Sequence, residues 1–180
     1  MVDISSALAT PGWMRPEELT WLAERAQVRE VIVEMGSHLG RSTRALADNI
    51  VPTGLVFAVD DWRGQSEFIG NIPDVVMFGL FCENVLDLIN AGIVQIVKVD
   101  HAKLLEEISV SQSPDMVFID GDHAYESVSR DIKNWLSLMA KGSLLCGHDY
   151  DWDTVRQAVD ELVPKRQLVD GTSLWWWVVE

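Results

Sequence analysis

Short β-branched apolar runs alternate with helical segments along nearly the whole chain, and acidic residues gather where those runs end. Val28–Met35 (VREVIVEM) carries Glu34 at its close and stops at Gly36. Leu55–Asp60 (LVFAVD) ends on Asp60, Ile93–Val99 is followed by Asp100, and Met116–Ile119 by Asp120. Ser143–Cys146 leads through Gly147 into His148-Asp149. Runs this short and continuously apolar suit strands covered on both faces, the pattern of a parallel sheet.

The intervening segments have helical spacing and helical punctuation. Pro16–Ala26 sets Leu19, Leu22, Ala23 and Ala26 on one face, behind a proline suited to a first helical position. Gly40–Asn49 opens with the capping types Ser42 and Thr43. A loop around Arg63–Asn71 leads to a helix within Asp74–Asn90, with Phe78, Cys82, Val85 and Ile89 apolar and Gly92 as its stop. A short helix is expected over Lys103–Ile108, and a longer one over Ser127–Ala140 through Val128, Ile132, Trp135, Leu136 and Met139. Asp153 is expected to cap a last helix that Pro164 ends. The tail differs: Gln167–Val169 and Leu174–Val179 flank Asp170-Gly171 as a β-hairpin, and its second strand, LWWWVV, is apolar on both faces.

Strand–helix alternation requires right-handed crossovers and helices on both sides of the sheet. The expected fold is therefore α/β, a Rossmann-like three-layer sandwich, and 180 residues suit a single domain spanning residues 1–180. In such sheets ligands bind beyond the carboxyl ends of the strands. Glu34, Asp60, Asp100, Asp120 and Asp149 all fall there.

A formal charge of −14 sets a repulsive field against nucleic acid or an anionic membrane, so neither is expected as a partner. Two cysteines, Cys82 and Cys146, lie far apart and offer neither a disulfide framework nor a metal-spaced pair. With no apolar stretch near membrane-span length and no basic–apolar leader, a cytoplasmic protein acting on a small molecule is expected.

EMGSHLGRS, Glu34–Ser42, is a glycine-containing strand-to-helix turn without the dinucleotide G-x-G-x-x-G spacing. A carboxylate beside the turn would repel a pyrophosphate and attract an ammonium. S-adenosylmethionine, with an α-ammonium, a sulfonium and no phosphate, suits that mouth better than a nicotinamide dinucleotide. Glu34 could instead merely cap the turn through its backbone amides. Asp60 is placed to accept ribose hydroxyls, and Asp100 to accept from an adenine amino group beside the His101 amide. Trp62 stacks on the adenine or, more blandly, covers the core. FIDGDHAY (Phe118–Tyr125) and CGHDY (Cys146–Tyr150) leave neighbouring strands. Asp120 with His148 and Asp149 would suit magnesium or another divalent cation, and His123 would take a proton near neutral pH. Asp122 reads as a turn cap, and Tyr125 and Tyr150 as packing residues.

VIVEMGSHLGRST, VFAVDDW and VFIDGDHAYESVSRDIKNWLSLMAKGSLLCGHDY together resemble the small class I S-adenosylmethionine-dependent methyltransferases of the Methyltransf-24 type, relatives of the catechol and macrolide-sugar O-methyltransferases. The likeness runs from about Val31 to Leu162. It implies a seven-stranded, mostly parallel sheet whose last strand is antiparallel, and methyl transfer to a hydroxyl of a sugar or phenol type acceptor. By motif position, Glu34, Gly36, Ser37, Gly40, Ser42, Asp60, Asp61, Trp62, Asp100, His101 and Asp120 would contact the cofactor. Asp120 and His123 would be catalytic, and Asp120, His148 and Asp149 would hold the metal. His148 departs from the carboxylate usual there, which leaves room for a metal-independent enzyme with another acceptor atom, or for a cofactor-binding module without transfer. Some 15 residues precede the first predicted helix. Little lid is expected, and the acceptor pocket would be open or completed by a second subunit in a homodimer or higher homo-oligomer.

Overall fold

A computed structural model describes residues 1–63, 73–100 and 113–180. Its centre is one seven-stranded sheet in the order β3-β2-β1-β4-β5-β7-β6. The strands are β1 (Val31–Met35), β2 (Leu55–Asp60), β3 (Val94–Lys98), β4 (Met116–Ile119), β5 (Leu144–Gly147), β6 (Gln167–Leu168) and β7 (Trp175–Val178). The first five are parallel, and β7 runs antiparallel to both β5 and β6. Strand order reverses beside β1, whose partners are β2 and β4. The crevice at a topological switch point of this kind opens above β1.

Side chains alternate across β1 to supply two separate cores. Ile32 joins a cluster under α1 (Ser5–Ala9), α2 (Pro16–Ala26), α3 (Arg41–Ala47), α4 (Asp74–Asn84) and α5 (Leu86–Asn90). Val31, Val33 and Met35 join the other, under α6 (Tyr125–Leu136) and α7 (Asp153–Leu162). These are the three layers that strand–helix alternation predicts. No helix among the described residues is long and apolar enough to cross a membrane.

Several expected boundaries shift for local reasons. Pro73 precedes α4, and the expected helix over Asp74–Asn90 breaks at Val85, where φ is −121°. Asp153 is the first residue of α7, not its cap; Trp152 occupies the cap position and makes no side-chain cap bond. Ser42 and Thr43 lie inside α3, and the cap is Gly40 in a left-handed conformation. The expected helix Lys103–Ile108 and most of the loop after Arg63 lie outside the described residues. Helix α1, among the residues expected to contribute little, was not foreseen.

The hairpin is buried less evenly than its sequence predicts. Leu174 and Trp175 are fully buried, but Trp176 and Trp177 are half-buried and Val178 is 41% exposed, because the two-residue β6 covers little of that edge. The indole nitrogens of Trp135 and Trp175 are buried without a partner. A lost partner costs about 1–3 kcal/mol, whereas burying roughly 150–250 Å² of ring at about 25 cal/mol per Å² gains more, so packing wins.

Candidate functional site

The loop from β1 to α3 passes very close to the end of β4. Gly36 has φ +91°, and a Cβ added there would lie 2.0 Å from the Asp120 carbonyl oxygen. Only glycine allows both the conformation and the approach. Its amide donates to Val59 O at 2.8 Å while the Asp120 amide donates to Met35 O at 2.8 Å, so the ends of β2, β1 and β4 are tied together.

A cavity of about 860 Å³ opens over these strand ends. Gly36, Ser37, Ser42, Asp60, Asp61, Asp100, Asp120, His123, His148 and Asp149 line it, so most of the residues singled out by sequence meet in one place. Three of the expected contacts stand apart, and a fourth lies outside the described residues. Trp62 is fully buried against Phe78 and Phe81, with ring centroids 4.9 and 4.7 Å away, and its Nε1 donates to His38 O at 2.8 Å; it belongs to the core. Gly40 caps α3 and packs against Val85 and Phe81. His101 lies outside the described residues. Glu34 sits beneath the loop, fully buried, and accepts from Ser37 Oγ at 2.7 Å and Thr43 Oγ1 at 2.5 Å. Burial raises its pKa, and the hydroxyls of Ser42, Thr43 and Ser37 work against that rise. The carboxylate props the turn from within, and does so through side-chain hydroxyls, not through the backbone amides expected of a cap.

Asp60 is a clasp for the same region. Its Oδ2 accepts the His38 amide at 2.8 Å and its Oδ1 the Trp62 amide at 2.7 Å. Both donors belong to residues with positive φ, 46° and 50°, so the carboxylate holds two left-handed turns that non-glycine residues adopt at a cost of about 1–3 kcal/mol each. A carboxylate still has lone pairs for a ligand hydroxyl after accepting two amides.

The acid–histidine cluster lies across the crevice. His123 Nε2 is 2.7 Å from Asp149 Oδ2, and the His123 ring stacks on Trp152 at 4.5 Å and 18°. Thr154 Oγ1 donates to His123 O at 2.7 Å and fixes that loop to α7. Asp149, at φ +58°, also faces His148 Nδ1 at 3.1 Å, with Asp120 Oδ1 at 3.6 Å. Burial pushes the Asp120 carboxyl up to about 7, helped by Asp149 and Glu34 and opposed by His148. Burial works against the Asp149 charge too, yet bonds from His123 and His148 hold that carboxyl well below the usual range. The Asp149 bond raises His123. Burial opposes charge on His148, but Asp149 and Glu18 outweigh it and push its pKa up to about 11.

A metal-sized group does form, with one change of membership. One ligand atom each from Asp120, His123 and Asp149 lies within 4.8 Å of the others. His148 is not in it: its Nε2 is turned to Ser173 Oγ at 2.9 Å and Glu18 Oε1 at 3.4 Å. His148, expected in the donor set, thus stands outside this grouping, although its Nδ1 still faces Asp149 and Asp120. Asp122 accepts from the Ala124 amide and Ser127 Oγ, as a turn cap should. The hydroxyls of Tyr125 and Tyr150 bond Glu161 and Asp160 on α7.

Sequence spacing missed the walls. Gly12, Trp13 and Met14 line the cavity from the N-terminal segment, with Trp13 over His38 at 4.9 Å. His38, Arg41, Arg63, Arg130 and Trp152 also line it. His38 and Arg41 lie inside EMGSHLGRS, Arg130 inside the stretch that follows FIDGDHAY, and Arg63 and Trp152 just beyond VFAVDDW and GHDY, but their spacing assigned them no role. Six aspartates (60, 61, 100, 120, 122 and 149) face three arginines, so the mouth is acidic.

Residues 33–150 match the family model described as a methyltransferase domain. The protein y4gI of Sinorhizobium fredii (strain NBRC 101917 / NGR234) is 28% identical over 148 residues, covering 77% of this chain and 15% of that protein. The chain thus spans a small part of that relative's length. The O-methyltransferase TomG from Streptomyces achromogenes, solved with SAM, has a TM-score of 0.70 at 14% identity, covering 100% of this chain and 92% of that one. An O-methyltransferase from Bacillus cereus in complex with SAH has a TM-score of 0.68 at 16% identity, covering 97% and 86%. At these identities the two structures share the fold.

Proposed function

The chain belongs to the methyltransferase-domain family, and from that premise we propose that it transfers the methyl group of S-adenosylmethionine to a hydroxyl of a small sugar or phenol type acceptor. The observation that carries this is the meeting of the Asp60–Asp61–Asp100 strand ends with the Asp120–His123–Asp149 cluster in one acidic cavity of about 860 Å³. That volume lies within the roughly 300–1,000 Å³ of small-molecule sites. The residues fit the cofactor: the turn at Gly36 has no room for a side chain, and the mouth favours a cationic ligand over a phosphate.

S-adenosylmethionine supplies an already activated methyl, because its sulfur leaves as a neutral thioether. The protein's share is to orient the acceptor and remove its proton. Asp60 and Asp61 hold the ribose side, and Asp100 the base side. His123 takes the acceptor's hydroxyl proton, leaving the oxygen lone pair to form the new C–O bond. Asp149, bonded to one ring nitrogen at 2.7 Å, fixes the imidazole and stabilises its charged form, as a carboxylate does for a catalytic histidine.

A second reading is favoured by the 4.8 Å grouping of Asp120, His123 and Asp149. A divalent cation would be held there, relieving the burial of Asp120 and lowering the pKa of an acceptor hydroxyl. His123 would then be a ligand and not the base.

Calorimetric titration with S-adenosylmethionine and with NAD tests the cofactor; binding of NAD alone would sink the proposal. Screening hydroxylated metabolites for S-adenosylhomocysteine release tests transfer. With the acceptor found, His123→Ala is expected to keep cofactor affinity and lose about 10²–10⁴-fold in kcat. Activity that survives EDTA selects the first reading, and activity restored by added magnesium the second.

A further inference from the structure

Glu18 is a buried acid that neither cofactor binding nor proton removal uses. It lies in the first turn of α2 and is 2% exposed. Its Oε2 accepts the Arg15 amide at 2.8 Å, an ordinary capping-box bond. Its Oε1 is drawn elsewhere: to Arg15 Nη2 at 2.9 Å, to the Ser173 amide at 3.3 Å and to His148 Nε2 at 3.4 Å. A cap needs only the first bond. The rest join α2, the turn before β7 and the residue after β5, three distant parts of the chain.

His148 is gripped on both sides. Ser173 Oγ at 2.9 Å and Glu18 hold its Nε2, while its Nδ1 faces Asp149 at 3.1 Å and Asp120 at 3.6 Å. Asp149 in turn reaches His123 Nε2 at 2.7 Å. The four side chains form one line, Glu18–His148–Asp149–His123, from a buried helix start to the cavity wall. An imidazole is rigid and its two nitrogens point in fixed directions, so fixing one end fixes the other. Interactions of this supporting kind set the aim of the groups they touch.

We propose that Glu18 is a positioning residue for methyl transfer, which fixes the His148 imidazole so that Nδ1 faces Asp149 and Asp149 stays aimed at His123. This rests on the proposed function for its effect on turnover, but not for its effect on His148.

The test pairs an NMR readout with kinetics on the full chain. The His148 Nε2–H proton, identified by its loss in His148→Gln, is expected as a slowly exchanging downfield resonance in the wild type. Glu18→Gln keeps the size and should shift or broaden that resonance. It should also lower kcat by about 10–100-fold with the KM for S-adenosylmethionine within twofold. Glu18→Asp, which retains the charge toward Arg15, should fall between, and is read alone should the glutamine variant not fold. Arg15→Met removes the exposed salt-bridge partner and should lower Tm while leaving kcat and the His148 resonance unchanged. An unaltered resonance in the glutamate variants, or a kcat loss in Arg15→Met equal to theirs, would overturn the proposal. If the wild type methylates nothing, it is the transferase reading that fails, and the resonance still decides the placement of His148.

Discussion

His148 shows how one residue's surroundings reverse its chemistry. In the sequence it stands where a ligand is expected, next to Asp149. In the fold it is 11% exposed on its side chain, with carboxylates on both flanks, and is held as a cation. A histidine whose pKa is raised on folding stabilises the protein fully below its unfolded value of about 6.5, and the gain is lost as pH rises toward the folded value. The folded value is about 11. The difference in Tm between wild type and His148→Gln should therefore be largest below pH 6.5 and shrink steadily through alkaline pH. Thermal melts in a buffer series check this, and a difference that grows with pH would contradict it. Asp149 has the opposite dependence: its depressed pKa stabilises above about 3.9 and the gain is lost in acid.

The β1–α3 connection is the element on which the crevice depends. Gly36 lets it pass over β4, Gly40 starts α3 in a left-handed cap, and Glu34 fills the space beneath with a carboxylate caged by hydroxyls. Helix α3 begins already at Arg41, ahead of Ser42 and Thr43, whose hydroxyls serve that cage and not as caps. Thr43→Val should thus cost about 1–3 kcal/mol, the price of a lost partner to a buried polar group, although it removes no carbon and leaves the helix intact. Urea unfolding measures it; a change below about 0.5 kcal/mol would mean that Ser37 and Ser42 satisfy Glu34 alone. Motif spacing marked this loop as a binding turn, and its boundaries were close. Spacing left the role of its acidic residue open, and the fold turns that residue down into the layer shared with Ile32.

For the molecule as a whole, the N-terminal segment is part of the site. Arg41, at the start of α3, donates to the backbone carbonyls of Met14 at 2.9 Å, Thr10 at 2.6 Å and Leu8 at 3.3 Å. Gly12 lies so close that an added Cβ would meet the Arg41 Cδ at 2.6 Å. One guanidinium therefore holds Gly12–Met14 against the cavity, where a short and open edge was expected. Arg41→Met keeps the stem and loses the three bonds. Amide exchange over residues 8–14 should quicken at least tenfold while the central strands β1 and β4 keep their protection, and S-adenosylmethionine affinity should weaken. Unchanged exchange would show that the segment is held by α1 packing alone.

The sequence by itself determined the alternation of strands and helices, the three layers, the antiparallel hairpin and the row of acids at the strand ends. Those follow from period and local punctuation, which neighbouring residues set among themselves. It also brought Asp120, His123 and Asp149 into consideration, since two motifs on adjacent strands had to meet. Only the tertiary structure decided the orientations. Trp62 went to the core and Glu34 beneath its turn, His148 turned away to Glu18 and Ser173, and Trp13 and Trp152 became walls. Glu34 found its hydroxyl partners within nine residues, but most of these outcomes rest on partners farther along the chain, Glu18 lying 130 positions before His148. Which way a side chain points is set by such partners and by the space left for it, and neither is present in local spacing.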